Sequence, residues 1–228
     1  MSTFLQICQK VARKSGTISG GQPVTAVSQT GRLLKVVNFV DDAWDEIQTS
    51  EDYWNWMRRD FTKTIDNPTQ AYTPAALAIT DFSRWDKSKV LSMYRTSYGT
   101  ANEGPLRFIE WRDFRNEHLI GEINTKAPSY WSVRPQDNAL VFNTIPDAEF
   151  TIRGEYIKDN QELVADTDIP ECPAKYHKAI MWLALQMLNE HDEAYDASTI
   201  AGVRFNEALN KLCIDQLEPC VVAGGPIA

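Results

Sequence analysis

Apolar positions recur at helical spacing at both ends of this chain and alternate in its middle. Residues 4–14 place Leu5, Cys8 and Ala12 on one stripe, which predicts a short helix. The run Ser15-Gly16-Thr17-Ile18-Ser19-Gly20-Gly21-Gln22-Pro23 breaks it. Over 28–48, Leu33, Val37, Val40, Trp44 and Ile47 fall at steps of four, three, four and three, one face of a long helix. Asp41, Asp42, Asp45 and Glu46 occupy its other faces. Ser50 reads as the N-cap of a short helical piece holding Tyr53, Trp54, Trp56 and Met57. Near the far end, Pro170-Glu171-Cys172-Pro173 opens a helix running to 191, with Tyr176, Ile180, Leu183 and Met187 as its main stripe. A turn over 192–197 leads to a last helix, 198–217, presenting Ala201, Phe205, Ala208, Leu209 and Leu212. Two amphipathic helices joined by a short loop pair antiparallel. Leu183 and Leu209 are therefore expected to be buried where this hairpin meets the long N-terminal helix.

The middle, 60–160, is rich in Thr, Tyr, Phe and Trp and is punctuated by Pro68, Pro74, Pro105, Pro128, Pro135 and Pro146. Over 150–157, Phe150, Ile152 and Tyr156 face one side while Thr151, Arg153 and Glu155 face the other, the period of a half-buried strand. Runs 130–134 and 139–143 flank Pro135-Gln136-Asp137-Asn138, and Pro146-Asp147-Ala148-Glu149 makes the next connection. Such short turns predict an antiparallel meander, because parallel strands need long crossovers. Further strands are expected at 90–95 and 106–110, and a short helix at 111–119 with Phe114 and His118 on one face. The pattern as a whole predicts an α+β fold. N- and C-terminal helices (1–60 and 170–218) form a helical bundle, 61–169 form a central antiparallel β-rich insertion, and 219–228 form an extended C-terminal tail.

Composition narrows the function classes. The 228 residues are 43% hydrophobic and 24% charged, which excludes a disordered or collagenous chain. Lys plus Arg is 23 and Asp plus Glu is 31, a net charge of −8, so the basic footprint of a tight nucleic-acid binder is missing. No stretch approaches the roughly 20 apolar residues of a membrane span, and the N-terminus lacks the basic and apolar pattern of a secretory signal. Cysteines at 8, 172, 213 and 220 form no CxxC pair, which argues for thiols in a reducing compartment. Cys213 and Cys220 are compatible with a bridge that nothing in the sequence requires.

Each group with chemical potential has a plainer reading. His177 and His191 are too far apart on their helix to share a metal, and His118 stands elsewhere; solvation or capping accounts for all three. Cys172 precedes His177 by five residues, but it sits between prolines at a helix start and reads as packing. Asp166-Thr167-Asp168 lacks the glycine and closing Glu of a calcium loop and reads as a turn. Arg58 and Arg59 beside Trp54 and Trp56 could hold single strands by charge and stacking; with Asp60 adjacent, an aromatic core edge or a subunit contact fits better. No phosphate loop and no nucleophile elbow is present. No catalytic residue, metal ligand or cofactor is assigned.

One stretch is recognisable. Gly154-Glu155-Tyr156-Ile157 is followed by Leu163, Asp166-Thr167-Asp168-Ile169-Pro170, Cys172-Pro173 and Tyr176-His177-Lys178-Ala179-Ile180. This order of strand, D-x-D-x-P turn and proline-opened helix resembles the head-to-tail adaptor (connector) proteins of tailed bacteriophages. Tyr130-Trp131-Ser132-Val133-Arg134-Pro135 with Leu140-Val141-Phe142 is similar to that family's central strands, and Asp45-Glu46-Ile47 with Trp54-Asn55-Trp56-Met57 to its N-terminal helix. Cys172 departs from the larger apolar residue expected before the proline. The resemblance covers 25–218 and implies a non-enzymatic structural virion protein. It implies a dodecameric ring under the portal protein that lines the DNA channel and carries tail or nozzle proteins. DNA would pass without specific binding, and no membrane would be involved. The tail is expected to dock on the portal or a neighbouring subunit through Val221, Val222 and Ile227, since it is apolar yet Gly224-Gly225-Pro226 prevents a helix. The alternative is a virion-associated cell-wall hydrolase, whose carboxylates the sequence does not single out.

Overall fold

A computed structural model describes residues 1–16 and 22–217. In chain order the helices are α1 (Phe4–Lys14), α2 (Gly31–Thr49), α3 (Trp111–His118), α4 (His177–His191) and α5 (Tyr195–Gln216). The strands are β1 (Arg58–Ile65), β2 (Ala71–Tyr72), β3 (Phe82–Trp85), β4 (Leu91–Arg95), β5 (Gly104–Phe108), β6 (Tyr130–Val133), β7 (Leu140–Phe142) and β8 (Phe150–Lys158). The chain divides into two compact units, Met1–Trp56 with Asn160–Ala228, and Met57–Asp159.

The first unit is helical. α1 starts on a capping box, in which the Gln6 amide donates to the Thr3 hydroxyl while the Thr3 amide donates to Oε1 of Gln6. Its apolar stripe is Phe4, Ile7, Cys8, Val11 and Ala12, all buried. α2 buries Val36, Val37, Val40, Ala43, Trp44 and Ile47, a face of the predicted phase; Leu33, at the first turn, is only half-buried. α4 packs against α1, α2 and α5, and it buries Ala179, Ile180, Leu183, Ala184 and Leu188. α5 is different, since it packs mainly on α4 and buries only Ser198, Ala201 and Leu212. Leu209 is half-buried rather than buried. Ser50 caps no following helix: its hydroxyl donates back to the Ile47 carbonyl, and Asn55–Met57 is a 3-10 turn.

The second unit is an eight-stranded sheet in the order β1-β8-β4-β5-β6-β7-β2, with β3 also paired to β8. β8 is its axis. One edge of β8 pairs with β1 along Phe150 to Ile157; the other pairs with β4 at its start and with β3 at its end. Phe150, Ile152 and Tyr156 point into a core built with Phe61, Trp85, Leu91, Leu106, Trp131 and Phe142. Position 154 belongs to the same face and is glycine. A Cβ there would lie 2.7 Å from Leu91 Cδ1 and 2.9 Å from Phe61 Cε1, so the neighbouring strands fill the space that a side chain would need.

The expected class, a helical bundle carrying a central antiparallel β-rich insertion, is overturned. The chain is mixed α/β, with an eight-stranded, nearly closed, barrel-like sheet that has its own hydrophobic core. The sheet is also not an antiparallel meander throughout, because β5 and β6 run parallel, with Arg107 opposite Tyr130 and Phe108 opposite Trp131. The segment between them contains α3, which supplies the long crossover that a parallel pair requires. The expected hairpin is present between β6 and β7, closed by an Arg134–Asp137 ion pair and a left-handed Asn138 with φ of 54°.

Candidate functional site

The residues that carried chemical potential in the sequence serve mainly as fasteners. In the D-x-D turn, the carbonyl of Asp168 accepts from the Phe4 amide at 2.7 Å and that of Asp166 from the Leu5 amide at 3.3 Å. These are first-turn donors of α1 that have no partner inside the helix. The carboxylate of Asp166 accepts from the Ala26 amide, and that of Asp168 from the amides of Val164 and Ala165. Both carboxylates thereby hold backbone amides in place. Gln48 fastens the same loop to α2, because its side-chain amide donates to the Gln161 carbonyl at 3.1 Å and accepts from the Gln161 amide at 2.7 Å.

His177 is buried and bridges two segments. Its Nε2 lies 3.1 Å from the Cys172 carbonyl, and its Nδ1 lies 3.2 Å from the Ser2 amide. Nδ1 also lies 3.1 Å from the Ser2 carbonyl, so the tautomer sets which Ser2 group it bonds, and burial lowers the imidazole pKa from 6.5. Cys172 offers its backbone rather than its sulfur, and burial pushes the Cys8 and Cys172 thiols up to about 12, the opposite of an activated nucleophile. His118 stacks on Tyr130 at 5.0 Å, and His191 bonds Lys35 and Asp192. Among the described residues no group of three His, Cys, Asp or Glu is placed to hold a metal ion. No helix among them is long and apolar enough to cross a membrane.

Trp54 and Trp56 in the helical unit and Arg58 and Arg59 in the β unit are each engaged within their own unit. Trp54 is fully buried, stacks on Trp56 at 4.6 Å and donates its indole N–H to the Ile47 carbonyl. Arg58 lies 3.6 Å from the Asp86 carboxylate, and Arg59 donates to the Arg58 carbonyl. The residues expected to dock, Val221, Val222 and Ile227, and Cys220, which the sequence left compatible with a bridge to Cys213, lie outside the described residues.

Two exposed surfaces of the helical unit remain. The first is a groove of about 480 Å³ between the start of α4 and the second half of α5. It is lined by Lys175, Tyr176, Lys178 and Trp182 on one side and by Arg204 and Lys211 on the other. The Lys14 ammonium sits 4.6 Å above the Trp182 ring. Lys175 pairs with Asp215 at 2.8 Å and Arg204 with Glu207 at 3.2 Å, whereas Lys178 and Lys211 have no ion-pair partner among the described residues. The second surface is acidic: Asp41, Asp42, Asp45 and Glu46 of α2 are all exposed, with Glu162 beside them on the loop. Partial burial, then the charge of Asp42, raises the Asp41 carboxyl pKa, and Asp45 and Glu162 act in the same direction. Whole-chain charge hid the groove. The signal for it was local, in Lys175 and Lys178 three apart at a helix start and Arg204 and Lys211 seven apart on the next helix.

The described residues thus combine bonded loops, thiols quenched by burial and charged helical faces. No curated protein matches the chain. A model of the SU10 adaptor protein family matches residues 2–224, nearly its whole length. The chain belongs to the SU10 adaptor protein family, a phage head-to-tail adaptor family, and is a structural protein of the virion.

Proposed function

We propose that this protein assembles as a dodecameric ring beneath the portal protein of a tailed phage, lines the channel through which DNA leaves, and carries tail or nozzle proteins. The observation that carries the reading is the family match over residues 2–224, which spans both the helical and the β unit. The solvent side of α5 supports it, since Tyr195, Ile200, Val203 and Ile214 are exposed on one long helix, an arrangement suited to association. The chain is made in the host cytoplasm and acts in the virion without cofactor, membrane or specific DNA contact. Val221, Val222 and Ile227 are the proposed docking residues of the tail, on the strength of their apolar character in the sequence alone.

The free chain is expected to be monomeric and to close into a ring only on its template, since a ring closed early would be lost to assembly. Size-exclusion chromatography with light scattering, with and without purified portal, tests this. The expected result is a monomer alone and a ring-sized complex with portal. A monomer that ignores portal, or turnover of peptidoglycan by the pure chain, would overturn the adaptor reading.

A further inference from the structure

We propose that the α4–α5 groove of one copy is the docking site for the acidic face of α2 on the next copy, and that this head-to-tail contact joins the ring. The inference rests on the ring reading above and names the surfaces that make it.

The first argument is charge complementarity within one unit. Around the groove, Lys14, Lys175, Lys178, Arg204 and Lys211 outnumber the carboxylates of Glu207 and Asp215, five against two, in a chain whose net charge is −8. The α2 face carries four exposed carboxylates, and among the described residues none is ion-paired. α2 and α5 each pack on α4 and make no extensive contact with each other, so the two faces are separate patches of one surface. Complementary patches at different places on a subunit pair heterologously, and such contacts close into rings when the rotation allows.

The second argument decides what kind of macromolecule fits. Exposed apolar side chains flank the groove on α5: Ile200 and Val203 before Arg204, and Ile214 after Lys211. The half-buried Trp182 and Tyr176 form its opposite wall. A phosphate backbone offers nothing to these residues, whereas a protein face does. The acidic surface has its own apolar points: Leu34 is exposed about two turns ahead of Asp41 along α2, and Val164 is exposed on the loop that the Asp41 carboxylate holds through the Leu163 amide. Charge then sets the register while the apolar residues exclude water, and the ionic part weakens with salt.

The test uses the full chain with purified portal and reads rings by light scattering and negative-stain counting. The double variant Lys178→Glu with Lys211→Glu is expected to reduce rings at least tenfold while its circular-dichroism melt stays that of the wild type. The double variant Asp42→Lys with Glu46→Lys is expected to do the same. All four changes in one chain are expected to restore rings, because the reversed faces match again. If the wild type forms no ring, the ring reading fails and this contact with it. If the wild type forms rings and the groove variant forms them equally well, the groove is wrong and the ring reading stands. Loss in the groove variant without recovery in the fourfold variant overturns the second-copy occupant. If that groove variant also loses a salt-sensitive retention of duplex DNA shown by the wild type, the occupant is nucleic acid.

Discussion

His177 commits both ring nitrogens to backbone groups, one on the N-terminal segment and one ahead of α4. Because burial lowers its pKa from 6.5, the unfolded chain binds a proton at this site more readily than the folded chain does. Stability rises with pH wherever the unfolded state holds more protons. The contribution of His177 is therefore complete above the unfolded value and is lost as the pH falls from 6.5 through the folded value. Urea midpoints at about pH 7.5 and about pH 5.5 should drop more in the wild type than in His177→Gln, which cannot titrate. The same drop in both proteins would show that the ring is not the proton acceptor. A second residue-scale prediction concerns Gly154, where a Cβ would meet Leu91 and Phe61 under 3.0 Å away. Gly154→Val should cost about 1–3 kcal/mol by overpacking, measured by chemical denaturation. A cost below about 0.5 kcal/mol, typical of a surface change, would mean that the two neighbours move aside freely.

At the scale of elements, α4 is the hub of the helical unit, and Leu183 on its stripe is 4% exposed. Leu183→Ala should cost about 2–5 kcal/mol, the range for emptying a core leucine site. Leu209→Ala on the half-buried side of α5 should cost clearly less, about 1 kcal/mol. Equal costs in the same urea series would show that α5 is covered as deeply as α4. The two helices also show what a sequence can disclose. A stripe that is buried on one side leaves a helical period, so α1, α2, α4 and α5 were legible to within a few residues. β8, β6 and β7 were legible for the matching reason of alternation or a proline-marked turn. β1, β2 and β3 were not. In β1, Arg58, Arg59 and Asp60 precede the first buried residue, Phe61, and the alternation is hidden behind charge. β2 has two residues and β3 four, too short for any period. The parallel β5–β6 pairing was unreadable because a helix as short as α3 does not by itself announce a crossover. The D-x-D turn was visible as a motif, but its task of supplying acceptors to the first turn of α1 needs partners more than 160 positions away.

For the whole molecule, the net charge of −8 sets the relation to DNA. Non-specific affinity comes from cations that neutralise phosphates and release counterions, and it falls steeply with salt. Cations stand together at the α4–α5 groove, but two of them, Lys175 and Arg204, are already paired. The α2 face of the same unit repels, since it sets four carboxylates in exposed positions. The proposed channel role would gain from this balance, since each retained phosphate contact would hold the strand back. The free chain should therefore bind duplex DNA more weakly than about 10 μM at roughly 0.15 M salt, at the low end of non-specific binding. Filter binding over a salt series measures it. Whatever residual affinity appears at low salt should fall further once rings form on portal, because the groove is then occupied by the neighbouring copy. Submicromolar affinity that persists or grows in the assembled ring would contradict both the repulsive channel and the occupied groove.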